Sequence, residues 1–142
     1  MESYVNMKAR HEKEINEFPF GFAFSKEQFK DMMSNWGLNE ENTDKIISIG
    51  MGGYIRKSDK EAMHDLFKRH KEEKEKGYKN NDFLQGAIEY ELANYEYIIT
   101  YDLEPTLNAL GFSLDILQDK RFKTILEKAK KNYLKNMEKL GW

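Results

Sequence analysis

The sequence contains no cysteine in its 142 residues, and this absence excludes several classes of protein. Without thiols, the chain has no disulfide framework, no thiolate zinc finger, no iron–sulfur cluster and no cysteine nucleophile. It also lacks a run of about 18 uncharged apolar residues, which a membrane-spanning helix needs. Charges at Glu2, Arg10 and Glu12 interrupt the N-terminal region, so we expect no secretory signal. These features favour a soluble, cytoplasmic protein without membrane contact.

Recognisable catalytic motifs are missing as well. The sequence matches neither the P-loop nor the dinucleotide-binding glycine pattern, and no serine stands in a context that indicates a Ser-His-Asp triad. Glu61 and His64 have the spacing of a carboxylate and an imidazole on one helical face. A carboxylate-bridged metal site needs two such motifs and further glutamates, however. We therefore expect no metal site and no cofactor, and the sequence favours a non-enzymatic role.

Positive charge is absent from residues 81–118, although the whole chain is close to neutral. The chain carries 23 Lys and Arg against 25 Asp and Glu, a formal net charge of −2, which argues against direct nucleic acid binding through bulk charge. Residues 119–142, in contrast, are rich in lysine. The block 81–118 mixes tyrosines with acidic residues, namely Asp82, Glu89, Glu91, Glu96, Asp102, Glu104 and Asp115.

Two interpretations of this acidic block are open. A compact domain can lay the basic C-terminal segment against the block, which would neutralise its charge internally. Alternatively, the block is a binding face for a Lys- and Arg-rich protein, because carboxylates steer and pair while tyrosines supply rigid contact area. The two interpretations differ in whether lysines of the C-terminal helix contact the carboxylates.

Periodicity and capping patterns predict one globular domain, residues 1–142, of mainly helical α+β class. Capping boxes at Ser25 and Ser58 begin helices, and Asp119 begins a long basic one. We expect about five helices with a small hairpin or sheet. The predicted helical segments are 2–17, 25–36, 58–76, 82–95, 105–111 and 119 onwards, and segment 97–101 is left open between helix and strand.

Two further segments predict extended structure. Phenylalanines at positions 18, 20, 22 and 24 alternate, which places four rings on one face, and Pro19 and Gly21 between them favour an edge strand or an extended loop over a central strand. The glycine cluster Gly50–Gly53, with apolar residues on both sides, predicts a hairpin. The helix of residues 2–17 is mostly polar and is expected at the surface.

Two ionisable residues, His70 and Glu91, fall on predicted apolar helix faces. A buried charge needs a partner or changes its protonation state. One hypothesis is therefore that the two side chains contact each other. The alternative is structural, with Glu91 bonded to a tyrosine or lysine and His70 filling space with one ring nitrogen satisfied. The neighbouring stripe residues are Met63, Leu66 and Phe67 for His70, and Leu84, Ala87, Ile88 and Tyr95 for Glu91.

The glycine cluster is followed by two cations and a predicted helix start, which are the ingredients of an anion site. The glycine backbone can approach a ligand closely, Arg56 and Lys57 supply charge, and a helix start offers free N–H groups. The alternative is a glycine-rich hairpin turn followed by solvated basic residues. No catalytic group accompanies either interpretation.

A family resemblance is carried by four segments: residues 22–29, 48–60 (SIGMGGYIRKSDK), 91–97 and 101–107. These segments resemble a family of small uncharacterised proteins of low-GC Gram-positive gut bacteria and of their phages and plasmids. The resemblance implies no catalytic residues. It implies a context in which small proteins of mobile elements bind a host protein and block or recruit it.

Together, these features predict a non-enzymatic accessory or inhibitor protein that presents an acidic, tyrosine-bearing face to a basic protein partner. One version inhibits a host nucleic-acid-handling or defence protein, with carboxylates in place of phosphates. The predicted partner-binding residues are Glu89, Tyr90, Glu96, Tyr97, Asp102 and Glu104. The alternative is a small-anion or nucleotide-binding protein, enzymatic or not, that uses Gly52, Gly53, Arg56, Lys57, His70 and Glu91.

Overall fold

The computed structural model describes residues Met1–Trp142 and confirms a mainly helical α+β fold with a small antiparallel sheet. No helix is both long and apolar enough to cross a membrane. The helices number seven, slightly more than the about five expected, and one of them is a short helix formed by Tyr97–Thr100. Their bounds are α1 Tyr4–Glu17, α2 Lys26–Asn35, α3 Lys60–Tyr78, α4 Asn81–Asn94, α5 Tyr97–Thr100, α6 Glu104–Leu110 and α7 Lys120–Lys139.

The chain divides into two compact units. Unit 1 consists of Met1–Arg10 and Glu73–Trp142, and unit 2 consists of His11–Glu72. Helices α1 and α3 each contribute residues to both units, since the boundaries fall inside them. Each unit has its own cluster of buried apolar side chains.

Unit 2 contains the sheet, which has the strand order β1-β3-β2. The strands are β1 Gly21–Phe22, β2 Ile46–Gly50 and β3 Gly53–Arg56, and both pairings are antiparallel. The predicted hairpin is confirmed, with Gly50 and Gly52 at positive φ in its turn. Of the two structures expected for this segment, an edge strand or an extended loop, β1 is the first: it lies at the edge of the sheet, and Pro19 precedes it.

The alternating phenylalanines do not form the buried face of this segment. Instead, Gly21 and Ala23 are buried, whereas Phe22 and Phe24 are 60% and 74% exposed. The reason is steric: a Cβ at position 21 would lie 2.5 Å from the Met32 sulfur, so only glycine lets the strand approach α2 this closely. The small residues, rather than the rings, therefore face the core of unit 2.

Helix α2 begins as its capping pattern predicted. The Ser25 hydroxyl accepts a hydrogen bond from Gln28 N–H at 3.1 Å, and the Gln28 side chain accepts one from Phe24 N–H at 2.8 Å. The helix packs Met32 and Met33 into the core of unit 2. Helix α3, in contrast, begins after a 3-10 turn at Lys57–Asp59 rather than at Ser58.

Unit 1 is built on helix α4, which packs against α6 and α7. Asn80 caps α4 and Asp119 caps α7, each accepting a hydrogen bond from the backbone N–H three residues on, at 2.9 and 2.8 Å. The N-terminal half of α1 adds Tyr4 and Met7 to this core. The other buried side chains of the core include Phe83, Leu84, Ile88, Leu92, Leu107, Phe122, Leu126 and Tyr133.

Two burial expectations are wrong. Helix α1 is amphipathic rather than a purely polar surface helix, because Tyr4, Met7 and His11 are all buried at helical spacing. Phe67, which was expected on the buried stripe of α3, is 43% exposed. Leu66 and His70 carry the buried stripe of that helix instead.

Candidate functional site

The most unusual backbone in unit 1 is the segment 95–104, which we call the α5 segment. Glu96 and Tyr101 on either side of α5 both adopt left-handed conformations, with φ of 54° and 53°. Left-handed backbone is unfavourable for residues that carry a Cβ, and strain of this kind concentrates at functional sites. Helix α5 itself is a single turn, Tyr97–Thr100, held between these two residues.

Helix α7 holds the α5 segment in place through the side chain of Tyr133. The Tyr133 hydroxyl accepts a hydrogen bond from Ile98 N–H at 2.9 Å, which satisfies an amide that the short helix leaves without a helical partner. Tyr97 is buried and packs edge-on against Tyr133, with ring centroids 6.1 Å apart. Tyr97 therefore belongs to the core of unit 1 rather than to an exposed binding face.

The outer side of the α5 segment is acidic and apolar at the same time. Tyr95, Ile99 and Tyr101 are 42%, 59% and 64% exposed. Three carboxylates of the segment, from Glu96, Asp102 and Glu104, are also exposed. Exposed apolar residues rimmed by charges are typical of protein interaction sites.

Lysines of α7 do not form ion pairs with these three carboxylates. None of the three takes part in an ion pair, and the α7 ion pair in the structure joins Lys130 to Glu127 within the helix, at 3.6 Å. Lys130 also lies over the Tyr97 ring, with its nitrogen 6.0 Å from the ring centroid. The basic helix thus supports the segment through aromatic contacts and leaves the carboxylates of Glu96, Asp102 and Glu104 exposed.

Local hydrogen bonds fix the C-terminal part of the segment. The Thr100 hydroxyl accepts from Asp102 N–H at 3.1 Å, and the Asp102 carboxylate accepts from Glu104 N–H at 3.0 Å. Pro105 lies in the first turn of α6, where a backbone N–H has no helical partner, so its missing N–H costs no hydrogen bond. The carboxylates of Asp102 and Glu104 consequently project from backbone that hydrogen bonds hold in place.

Two predicted partner-binding residues lie outside this segment, on α4. The Glu89 side chain is half-buried, and this burial raises the pKa of its carboxyl, although the Asn132 side chain of α7 opposes the shift. Tyr90 is 37% exposed, with the ammonium of Lys8 4.9 Å from its ring centroid. Both residues already have contacts within unit 1.

Glu91 is completely buried and paired with Lys8. The Lys8 ammonium lies 2.9 and 3.2 Å from the two Glu91 carboxylate oxygens, and the Asn94 amide lies 3.4 Å away. Burial and the nearby Glu91 carboxylate raise the pKa of Tyr4. The pairing hypothesis for Glu91 and His70 is therefore wrong. Glu91 instead follows the structural alternative, in which its carboxylate is bonded to a lysine, and that lysine is Lys8.

His70 has a partner of its own in unit 2, the imidazole of His11. The two rings stack with centroids 3.8 Å apart and an interplanar angle of 10°, and both are about 5% exposed. Glu14 lies 3.6 Å from the Nε2 atom of His70 and also pairs with Arg69. His11 was missed because its helix looked polar, although Tyr4, Met7, Lys8 and His11 share a helical face in the sequence.

The two glycines and Arg56 of the predicted anion site make structural contacts in and beside the hairpin. Gly52 lies in the turn at φ 77°, against the ring of Phe24, and Gly53 pairs with Phe22 in the sheet. The Arg56 guanidinium pairs with Asp59 at 2.8 Å and lies over the Trp36 ring. Lys57 is exposed. The arrangement corresponds to the alternative of a structural glycine turn, and no observation favours a ligand there.

Titratable side chains form no cluster of three or more that could hold a metal ion. Glu61 and His64, which have metal-ligand spacing in the sequence, are both exposed on α3. Their spacing is therefore a feature of the solvent-facing side of that helix.

Fold and site together define a small, mainly helical α+β protein with an ordered, exposed acidic segment. The chain belongs to a family of unknown function (DUF7659), whose model matches residues 3–132. This match agrees with the resemblance to an uncharacterised family. No curated protein and no solved structure matches the chain.

Proposed function

We propose that this protein binds a basic protein partner through the α5 segment. The single observation that supports the proposal most is the exposure of Glu96, Asp102 and Glu104 without ion pairs, beside the exposed side chains of Ile99 and Tyr101.

The chemistry of the segment selects the kind of partner. Carboxylates steer and pair with lysine and arginine side chains, and exposed tyrosines supply contact area with few rotatable bonds. Hydrogen bonds from the N–H groups of Ile98, Asp102 and Glu104 hold this surface in one conformation, which lowers the entropy lost on binding. The partner is therefore a protein with a Lys- and Arg-rich surface that includes an apolar spot.

The biological role that fits such binding is that of an accessory or inhibitor protein. A nucleic-acid-handling protein has a basic surface, and aligned carboxylates compete with phosphates for it. The resemblance described above supports an origin in low-GC Gram-positive gut bacteria or their mobile elements, and a cytoplasmic target in the host cell. This proposal assigns no chemical reaction to the protein.

Affinity capture with matched variants tests the proposal. The tagged full chain is used to capture proteins from a lysate of the source cell, and each captured protein is purified and titrated against the chain by calorimetry. The test variant is Glu96→Gln/Asp102→Asn/Glu104→Gln. The amide introduced at position 102 keeps the side-chain oxygen that accepts from the backbone N–H of residue 104. We expect at least a tenfold weaker affinity of the purified partner for this variant.

The control variant removes the same number of charges elsewhere. Glu12, Glu41 and Glu75 are exposed and form no ion pair, so their replacement by glutamine changes net charge equally without touching the segment. The proposal requires the control to bind like the original chain. Equal weakening in both variants would show a general charge effect, and equal affinity of all three chains would refute a role for the segment.

A further inference from the structure

The open edge of strand β1 in unit 2 carries backbone groups that the sheet does not use. Ala23 N–H donates to Gly52 O at 2.9 Å, and β1 pairs Phe22 with Gly53 in antiparallel register. Hydrogen-bonded and non-hydrogen-bonded pairs alternate in such a ladder, so Phe22 and Gly53 form a non-hydrogen-bonded pair. The N–H and C=O of Phe22 consequently point away from β3, towards the open edge.

A cleft of about 370 Å³ lies at this edge, between β1 and α2. One wall is formed by the β1 region, including the backbone of Gly21 and Phe22, and the other is the face of α2. Because Gly21 faces α2 and side chains alternate along a strand, the Phe22 ring lies on the other side of the sheet. The two walls approach each other closely at Gly21, where an added Cβ would lie 2.6 Å from the Trp36 ring. An exposed strand edge beside a helix is a geometry in which proteins accept an additional strand from a peptide.

Polar groups on α2 line the cleft at helical spacing. Gln28, Asp31 and Asn35 all contribute to its wall, so they lie along one face of the helix. Asp31 is the charged residue of this wall, and its carboxylate is exposed and forms no ion pair. A ligand that is complementary to this wall of the cleft therefore carries a positively charged group and hydrogen-bonding groups.

We propose that the cleft between β1 and α2 binds an extended peptide segment of a partner protein, which adds to β1 as a fourth strand and places a lysine or arginine at Asp31. The N–H and C=O of Phe22 supply main-chain hydrogen bonds to the peptide. Alternate side chains of the added strand face α2, so the Trp36 ring supplies apolar contact to a residue two positions from the basic one, and the Phe22 ring supplies it to a neighbouring residue on the opposite face. This site lies in unit 2 and is additional to the α5 segment.

Selection of peptides from a phage-displayed library of random heptamers tests this site on the full chain. Enriched heptamers are synthesised and titrated against the chain and its variants by calorimetry. Phe22→Pro removes the outward N–H without removing a ladder bond, and Phe22→Ala removes the ring but keeps the N–H. Asp31→Asn removes the charge, and Glu27→Gln on the same helix but outside the cleft is its control.

We expect the enriched heptamers to share a lysine or arginine flanked by β-branched or aromatic residues. Their affinity should fall at least tenfold from Phe22→Ala to Phe22→Pro, and at least tenfold in Asp31→Asn, with no change in Glu27→Gln. Asp31→Asn keeps the test valid should Phe22→Pro fail to fold. Failure to enrich any heptamer, or equal affinity for all variants, would overturn the proposal. Heptamers that lose affinity only in the Glu96/Asp102/Glu104 variant would place the binding at the α5 segment instead.

Discussion

The hydroxyl of Tyr133 accepts a hydrogen bond from the backbone N–H of Ile98 at 2.9 Å. This bond joins the basic helix α7 to the short helix α5, and it does so without involving a charged side chain. Together with the packing of Tyr97 on Tyr133, it explains how α7 holds an acidic segment in place while its lysines leave the carboxylates of Glu96, Asp102 and Glu104 exposed.

Removing the hydroxyl tests this anchor. In Tyr133→Phe, the N–H of Ile98 loses its partner at a partly buried position, so we expect the free energy of unfolding to fall by about 1 kcal/mol. The amide of Ile98 should also exchange with solvent more quickly, since the α5 segment opens more easily. Denaturant unfolding and amide hydrogen exchange measure the two effects. Tyr95→Phe, at a 42% exposed site, should change neither quantity.

Replacing Glu96 by glycine should raise the free energy of unfolding and, at the same time, weaken binding of the partner. Glycine adopts φ near 54° without the cost that a Cβ imposes, so Glu96→Gly should raise the free energy of unfolding by about 0.5–1 kcal/mol. The same change removes a carboxylate from the α5 segment and should weaken partner binding. Thermal unfolding and calorimetric titration report the two results, and Glu96→Gln serves as the control that loses the charge but keeps the strain. A glycine variant less stable than the original chain would contradict the strain argument.

The ion pair between Lys8 and the fully buried Glu91 predicts a large effect on stability. Lys8→Met leaves the Glu91 carboxylate buried without its cation, and we expect a loss of about 3 kcal/mol in denaturant unfolding. Lys8→Met/Glu91→Gln removes both charges and should recover more than half of that loss. Lys13→Met, which breaks an exposed pair with Glu17, should cost less than about 1 kcal/mol. A similar loss in Lys8→Met and Lys13→Met would show that burial of the Lys8–Glu91 pair does not increase its effect on the free energy of unfolding.

Stability should fall with pH below about 6.5, because of the stacked histidines. Burial and the neighbouring His11 hold the pKa of His70 below its ordinary value of 6.5, although Glu14 opposes this shift. The unfolded chain therefore takes up the proton first as the pH falls, and the stability present above pH 6.5 is lost between 6.5 and the lower folded pKa. The Arg69 side chain lowers the pKa of Glu14 from 4.5 to about 2, so the stability that this carboxylate contributes is present above pH 4.5 and is lost only as the pH falls from 4.5 towards 2.

Unfolding measured from pH 8 to pH 5 tests this dependence. His70→Asn should flatten the curve between pH 6.5 and 5, since the depressed group is gone. His64 is the exposed histidine of the same helix, and His64→Asn should leave the curve unchanged. A curve that is flat in the original chain, or equally steep in both variants, would contradict the argument.

Local sequence signals predicted the helices and the hairpin well, because capping and turn residues act over three or four positions. Ser25 and Asp119 cap their helices as expected, and Gly111 ends α6 at φ 87°. Segment 97–101 could not be assigned from its β-branched and aromatic residues. Its helical turn depends on a tertiary contact, the hydroxyl of Tyr133, which lies far away in the sequence.

The candidate site was predictable only in part, for the same reason. Periodicity correctly indicated that Glu91 and His70 are buried, but their partners Lys8 and His11 lie on α1, whose many charges concealed its apolar face. The acidic block was evident from composition. Which of its residues are exposed is decided by packing, since Tyr97 faces the core and Tyr101, four residues later, faces solvent.

The central claim is that the carboxylates of the α5 segment are available to an outside molecule and are not neutralised by this chain's own lysines. Carbodiimide coupling joins carboxylates to amines in direct contact, and mass spectrometry of the chain with its purified partner locates each junction. We predict junctions from Glu96, Asp102 and Glu104 to lysines of the partner. Junctions from those three residues to lysines of α7 in the chain alone, unchanged when the partner is added, would contradict the claim.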